Sequence, residues 1–207
     1  MDPASTSEAV SGALTWIPTL ALALSLAACA GLRAWLPMLI AGLLARFEVM
    51  RLGDDYTFIS STPALVCFGV ATVIEIAGDK IPAVDHALDA VSTVVRPAVG
   101  TLLAAAVMWQ VSDPLWALVL GLLIGAPTAA VPHVAKAATR GASTALTAGI
   151  ANPVLSVIED LTAALGALLA VLVPILIAIV VVVLLGATGW IVWRWRRRGG
   201  VPPAPAG

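Results

Sequence analysis

Charge is what this 207-residue sequence has least of. Lys, Arg, Asp and Glu together make up 11% of its residues, whereas 60% of the residues are hydrophobic. Roughly a quarter of the residues of a soluble domain are charged, so the composition excludes an ordinary soluble fold and indicates that lipid surrounds most of the chain. The net charge of −1, and the lack of a water-facing basic patch ahead of the C-terminus, give no reason to expect a nucleic-acid partner.

Cysteine and histidine are also scarce. Cys29 and Cys67 both lie in apolar runs, where a cysteine is typically a small buried hydrophobe rather than half of a disulfide or a metal ligand. His86 and His133 lie in different segments, and no Ser-His-Asp or Cys-His arrangement, phosphate-binding loop or zinc-ligand spacing accompanies them. The sequence therefore predicts no cofactor.

The N-terminus lacks the basic residues that begin a signal peptide. The stretch LAAC, which ends at Cys29, matches the cleavage box of bacterial lipoproteins, but Asp2 and Glu8 precede it without any Lys or Arg. The apolar run also continues beyond Cys29. Both features favour a retained first membrane helix over a cleaved leader.

What the sequence has in abundance is long apolar runs. A bilayer requires backbone groups to pair internally, which only helices or closed barrels achieve, and these runs are continuous rather than alternating. At ~20 apolar residues per span, we predict an all-α fold, a polytopic helical membrane bundle of about six transmembrane segments. One membrane domain at 13–196 would lie between a cytoplasmic N-terminal tail at 1–12 and a disordered basic, proline-rich tail at 197–207.

The first and fourth segments are predicted to be broken. Residues 13–46 would form a helix of about 50 Å, which is longer than one span, and Pro37 should divide it. Residues 114–140 contain Pro127 and Pro132, which predict interruptions there. The other predicted elements are segments at 62–78, 93–110, 153–172 and 173–193, a short amphipathic helix starting at Pro82, and a small-residue loop at 141–152.

Arginine and lysine set the predicted orientation. The arginines of the C-terminal stretch RWRRR place that end in the cytoplasm by the positive-inside rule. With six crossings the N-terminus lies there too. Only Pro174 separates the last two segments, so a re-entrant segment at 153–172 is the alternative to a full span.

The two halves of the sequence show a weak similarity. Each has a glycine, a proline and an arginine along its broken segment, followed by a Val-Ile-Glu sequence that aligns Glu75 with Glu159. Three crossings per half would invert one copy relative to the other, an architecture that recurs in transporters. We therefore hypothesise inverted repeats at 13–110 and 114–194, with chance similarity between segments rich in Ala, Val and Pro as the alternative.

Five charged residues and a histidine are concentrated in EIAGDKIPAVDHALDA, residues 75–90. Glu75 and Asp79 are four apart on one helical face, and Glu75 has apolar neighbours on both sides. An acid inside a span is costly unless it is paired or faces water, and it usually marks a functional path. The candidate site residues of this stretch are Glu75, Asp79, Lys80, Asp85 and Asp89. Arg96 continues the polar stripe of Asp85, Asp89 and Ser92, but it is interpreted as a solvated or paired charge outside the site.

The opposite charge comes from the stretch PHVAKAATR. His133, Lys136 and Arg140 step by three and four, so they share a helical face. Arg33 is embedded between AACAGL and AWLPML and needs an anion, either Glu75, Glu159 or a ligand phosphate. We expect Glu75 to approach Arg33 first, and Lys136 or Arg140 second. The candidate site residues outside the acidic stretch are Arg33, His133, Lys136, Arg140 and Glu159.

Five separated motifs, GLRAWLP, DKIPAVDHALD, RPAVG, HVAKAATR and NPVLSVIED, together resemble an uncharacterised family of bacterial membrane proteins, the domain of unknown function numbered 4126. The resemblance covers roughly residues 20–170. It implies a small multi-pass membrane protein, and it implies no activity because none is assigned to the family.

The embedded charges suggest three functions. The leading one is a transporter or channel for an ion or a small anionic or lipid substrate, in which Glu75 and Glu159 bind protons or ions. The alternative is a membrane enzyme acting on lipid phosphates, with Mg²⁺ held by Asp85 and Asp89 together with Asp79. DHALD is similar to half of the lipid phosphotransferase signature, but the other half is absent. A third function is a structural or assembly partner in the membrane, which predicts that the charges pair only with one another.

Overall fold

A computed structural model describes residues 3–109 and 113–198, with side chains described except at 3–13, 82–87, 89, 192, 196 and 198. Within these ranges the chain is helical and has no strand, which confirms the predicted all-α bundle. The helices are α1 (Pro3–Leu32), α2 (Trp35–Arg46), a 3₁₀ helix (Asp54–Ser60), α3 (Thr62–Gly78), α4 (Pro82–Met108), α5 (Pro114–Leu120), a π-helical turn (Gly121–Gly125), α6 (Ala126–Thr147), α7 (Asn152–Leu172) and α8 (Pro174–Arg198).

The number of membrane-crossing helices agrees with the sequence-based count. Five stretches of the described chain are long and apolar enough to cross a membrane. A sixth crossing results if the 3₁₀ helix and α3, which meet at an angle of 58°, are taken as one span. Both 152–172 and 174–195 qualify as full-length spans, which favours a complete fifth segment over a re-entrant one.

Local signals explain where several helices begin. Ser61 precedes α3, and its hydroxyl accepts a hydrogen bond from the N–H of Ala64 at 3.4 Å. Asp113 precedes α5 and accepts from the N–H of Trp116 at 3.1 Å. A proline follows each of these capping residues, where its missing N–H costs nothing. Both starts therefore combine an N-cap with a helix-compatible proline.

The predicted break in the first segment is confirmed at Arg33 and Ala34, between α1 and α2. A proline ring collides with the carbonyl four residues earlier, and for Pro37 that carbonyl belongs to Arg33. The chain therefore leaves the helix at Arg33 and begins again at Trp35. The break frees two main-chain N–H groups that become part of the candidate site.

The interruption predicted at the prolines of the fourth segment lies earlier in the chain. Pro127 disturbs the carbonyl of Leu123, four residues before it, and Leu123 lies in the π-helical turn Gly121–Gly125. We infer that the π turn absorbs the defect. Helix α6 then continues through Pro132 without a break, so that part of the prediction is wrong.

Three other predicted boundaries are wrong. The short helix at Pro82 and the segment at 93–110 form one continuous helix, α4, which passes Pro97 without a break. The first residues of the predicted loop at 141–152 extend α6 to Thr147, because the Ala, Ser and Thr there are compatible with a helix. Helix α8 reaches Arg198, two residues into the predicted tail, and residues 199–207 lie outside the described part.

Helix α1 lies at the centre of the bundle and packs against α4, α6, α7 and α8. Its buried face consists largely of small residues such as Ala23, Ala27 and Ala30. Small residues let helix backbones approach closely, which favours association in lipid, where the hydrophobic effect no longer drives it. At Gly31 the main chain of Ala129 lies so close that no side chain would fit.

We predict that Gly125→Ala lowers the unfolding temperature. A Cβ at Gly125 would lie 2.9 Å from the Cβ of Ala104, and closer still to the carbonyl of Gly100, so α4 would have to move away. Gly141→Ala is the matched control, because nothing lies within 4 Å of a Cβ there. Replacing a helical glycine gains up to about 1 kcal/mol, so this control should be neutral or stabilising. Equal thermal stability of the two variants in detergent would contradict the close packing.

Candidate functional site

Four acidic and four basic side chains meet inside the bundle, beside the break between α1 and α2. None of these side chains is more than 18% exposed, and their formal charges sum to zero. The residues of this buried ion-pair network are Arg33, Glu75, Asp79, Arg96, Lys136, Arg140, Glu159 and Asp160.

Asp79 is the centre of the network. Its Oδ2 atom lies 3.0 Å from Nζ of Lys136 and 2.8 Å from Nη2 of Arg140, and it also contacts Nη1 of Arg33. Asp79 follows the last residue of α3, whereas the bases come from the α1 break and from one face of α6. One carboxylate therefore joins three elements of the fold.

Glu159 and Asp160 supply two further carboxylates from α7. Oε2 of Glu159 lies 3.2 Å from Nζ of Lys136 and 2.9 Å from Nη2 of Arg140. Oδ1 of Asp160 lies 2.6 Å from Nε of Arg33, but the N–H does not point at this oxygen, so the contact is an ion pair without hydrogen-bond geometry. Helix α7 thus binds the same bases as Asp79 does.

Glu75 binds the start of α2. One of its carboxylate oxygens accepts from the N–H of Ala34 at 3.2 Å and the other from the N–H of Trp35 at 3.3 Å. The break leaves these two N–H groups without helical partners, and the positive end of the α2 dipole adds to the attraction. Nη2 of Arg96 lies 3.3 Å from Oε1 of Glu75 and supplies the compensating full charge.

Arg96 connects Glu75 to His133. Nη1 of Arg96 lies 2.7 Å from Nδ1 of His133, and Nε2 of the same ring lies 3.3 Å from Oγ1 of Thr93. A guanidinium only donates, so we assign Nδ1 as the acceptor and place the ring proton on Nε2, where it donates to Thr93. The imidazole is neutral in this tautomer and adds no charge to the network.

Most of the predicted site residues come together. Lys80 does not, because its side chain is exposed and its Nζ donates to the main-chain carbonyl of Ile76 at 3.1 Å. The side chains of Asp85 and Asp89 lie outside the described residues, so the Mg²⁺ pair stays a prediction. The predicted site residues that meet are Arg33, Glu75, Asp79, Lys136, Arg140 and Glu159, with His133 beside Arg96.

The predicted partner of Glu75 is wrong. The base at its carboxylate is Arg96, whereas Arg33 reaches only the main-chain carbonyl of Glu75, at 3.5 Å. Arg96 is paired, as one of the two interpretations allows, but it is not solvated and does not lie outside the site. If the helix were divided near residue 93, as the sequence predicts, Arg96 would lie close to a helix end. In the observed continuous helix α4, Arg96 lies mid-helix and is 1% exposed. Lys136 and Arg140 bind Asp79 instead.

Sequence reasoning also misses Ser156 and Asp160. Oγ of Ser156 accepts a hydrogen bond from Nη2 of Arg33 at 2.9 Å, while Asp160 contacts Nε of the same guanidinium. The two residues are four apart and therefore share a helical face. This spacing within the stretch NPVLSVIED is the signal that could identify them.

Comparison with known proteins identifies the family of this chain. The model of the family described as "Domain of unknown function (DUF4126)" matches residues 20–194. The chain belongs to this family. The match includes all eight residues of the buried ion-pair network. No curated protein and no solved structure matches the chain significantly.

We predict that Asp79→Asn strongly destabilises the protein. Removing one partner of a buried ion pair typically costs about 3–5 kcal/mol, and Asp79 serves three bases. The control is Lys80→Gln at the next residue, which removes an exposed charge and should change stability little. Thermal unfolding of both purified variants measures the difference, and similar unfolding temperatures would show that the network does not hold the helices together.

Proposed function

We propose that the protein transports an ion or a small charged substrate across the membrane, and that the buried ion-pair network is its binding site. The observation that carries the proposal is the position of Glu75, whose carboxylate lies within 3.3 Å of the N–H groups of Ala34 and Trp35 and of the Arg96 guanidinium. In many transporters, helices broken within the bundle bind anionic substrates and coupling ions at their free ends.

The sharing of partners within the network supports a transport cycle. Asp79 and Glu159 both bind Lys136 and Arg140. A proton or cation that neutralises one carboxylate would release its share of these bases, which the other carboxylate or a substrate anion could then attract. Charge would thereby pass between α3, α6 and α7 without any group becoming an unpaired buried ion, which is the costly state.

The C-terminal end of α8 supports a cytoplasmic location for both termini. The guanidinium of Arg194 lies 5.0 Å from the ring centre of Trp190, and that of Arg197 lies 4.0 Å from the ring centre of Trp193. Tryptophans mark membrane interfaces, and an excess of arginine marks the cytoplasmic side. We therefore propose the inner membrane of a bacterium as the location, with six crossings.

We predict that a reporter enzyme active only in the periplasm is silent when fused to the C-terminus. The control is a fusion ending at residue 53, in the loop after α2, which the same orientation places outside and which should therefore be active. The reverse pattern in intact cells would overturn the orientation.

We predict that Glu75→Gln abolishes transport in protein that still inserts and folds, with a lower unfolding temperature because Arg96 loses its acidic partner. The substitution keeps the shape of the side chain and removes its charge. Purified protein in vesicles would be tested against imposed gradients of H⁺, Na⁺, K⁺ and Cl⁻, each followed with an entrapped dye. At least one gradient should dissipate faster in vesicles that contain wild-type protein than in vesicles without protein. In vesicles that contain Glu75→Gln, the rate of dissipation should equal that of vesicles without protein.

Glu48→Gln is the matched control for this measurement, because it makes the same change at an exposed residue and should leave the rate unchanged. The unfolding temperature of each variant would be measured in parallel. If Glu75→Gln loses thermal stability with no change in flux, the transport proposal is wrong. If no gradient responds to wild-type protein, transport of these four ions is excluded.

A structural role is the second candidate function. It is favoured by the mutual pairing of the network, in which each of the four acids lies within 3.3 Å of a base. Against it stands the observation that well-packed apolar residues hold helices together as well as buried ion pairs do. The vesicle experiment separates the two candidates, because a purely structural network predicts changes in stability alone.

The enzyme hypothesis gains no support from the described residues. Among them, no group of three or more His, Cys, Asp and Glu side chains could hold a metal ion. Each carboxylate of the network instead lies against a base. This alternation favours ion pairing over the clustered oxygen ligands that Mg²⁺ prefers.

A further inference from the structure

A groove of about 660 Å³ lies beside the buried ion-pair network and is lined by α1, α6, α7 and α8. Its floor includes Ala28 and Cys29, which are 7% and 6% exposed. Leu165 and Leu184, which also line it, are 56% and 60% exposed. The groove is therefore open at the outer surface of the bundle, where lipid surrounds the helices.

The groove is polar at only one place. Lys136 and Glu159, which lie 3.2 Å apart, are its charged lining residues. The hydroxyls of Thr139, Thr162 and Thr188 each donate to a main-chain carbonyl of their own helix, so they require no further partner. The rest of the lining is almost entirely apolar, and a water molecule there would lack the two to four polar partners that it needs.

The charged pair lies toward one end of the groove. The side-chain N–H of Asn152 donates to Thr144 at 3.0 Å, next to the turn that joins α6 to α7, so these two helices run antiparallel. Lys136 and Glu159 lie on the side of the groove nearer this turn, whereas Val131 lies farther away along α6. On α6 and α7 the lining continues past the pair toward the turn as Thr139, Leu155 and Ile158, and it extends farther in the other direction, to Val131 and Gly166. The groove thus has a charged pair nearer one end and a longer apolar part on the other side of it.

We propose that one acyl chain of a zwitterionic bilayer phospholipid occupies this groove, with its head group toward Lys136 and Glu159. The groove follows about 17 Å of α8, from Ile177 to Thr188, which suits one extended chain. The Lys136–Glu159 pair is neutral, and Lys136 is also shared with Asp79. The pair therefore has no spare positive charge to compensate the carboxylate of a free fatty acid. A zwitterionic head group has no net charge and requires no such compensation.

This lipid site does not depend on the proposed transport. It rests on the shape and chemistry of the surface between α1, α6, α7 and α8. A binding experiment can therefore support or contradict it whatever the flux measurements show.

The test is photo-crosslinking of the full chain in nanodiscs of phosphatidylcholine that contain a small fraction of phosphatidylcholine with a diazirine at the end of one acyl chain. After irradiation, peptide mass spectrometry locates the adducts. Adducts should be enriched on the groove residues Cys29 and Val131 relative to Val183, which is 63% exposed on α8 and does not line the groove.

Two matched variants control for random labelling. Ala135 lines the groove, so Ala135→Phe should fill it and remove most of the groove adducts. Ala137 is exposed on the same helix and does not line the groove, so Ala137→Phe should keep them. If Ala135→Phe lowers the unfolding temperature, Ala135→Leu replaces it.

Two outcomes would overturn the proposal. One is labelling of Cys29 and Val131 at or below the level of Val183, which would mean that no chain enters the groove. The other comes from a parallel experiment with a diazirine analogue of palmitate. If palmitate labels the groove and phosphatidylcholine does not, the occupant is a free fatty acid and the assignment to a phospholipid is wrong.

Discussion

The interior of a membrane bundle does not tolerate an uncompensated charge, and the arrangement of these helices follows from that constraint. Moving one ion from water into such an interior costs on the order of several kcal/mol even after relaxation. The described network meets this cost with four acids and four bases, and no ion pair within it joins two residues of the same helix. The charges are therefore compensated only when α3, α4, α6 and α7 are packed around the break between α1 and α2.

The break itself depends on one residue, Pro37. In an unbroken helix the N–H groups of Ala34 and Trp35 would bind carbonyls of the preceding turn. Because the chain leaves the helix at Arg33, whose carbonyl the ring of Pro37 would otherwise meet, both groups are available to the carboxylate of Glu75. A backbone defect and a buried acid, each unfavourable alone, thus satisfy one another, and α3 is fixed against the start of α2.

Periodicity and composition predict the kind of fold and the residues that carry buried charge, but not which residues pair. The spacing of His133, Lys136 and Arg140 places them on one face, and Lys136 and Arg140 do bind the predicted acids Asp79 and Glu159. The partner of Glu75 could not be obtained in this way, because it depends on how α4 is rotated and how far it extends. Pro97, directly after Arg96, is a helix-breaking signal in the sequence, so the sequence gives no sign that Arg96 lies inside one long helix rather than near an end. The inverted repeat suggested by the alignment of Glu75 with Glu159 stays a hypothesis, and the two acids have different surroundings. Glu75 binds a helix start and one base, whereas Glu159 lies within 4.0 Å of three bases.

Lys136 is the side chain through which the surroundings of the bundle reach the centre of the network. It lines the groove, lies 3.2 Å from Glu159 and lies 3.0 Å from Asp79. A head group that attracts Glu159, or that repels it, changes how Lys136 is shared between the two acids. Because Asp79 also binds Arg33 and Arg140, its pairing with those bases must adjust when Lys136 moves. The groove and the helix break are therefore connected by an unbroken series of contacts, which runs from Glu159 through Lys136 and Asp79 to Arg33.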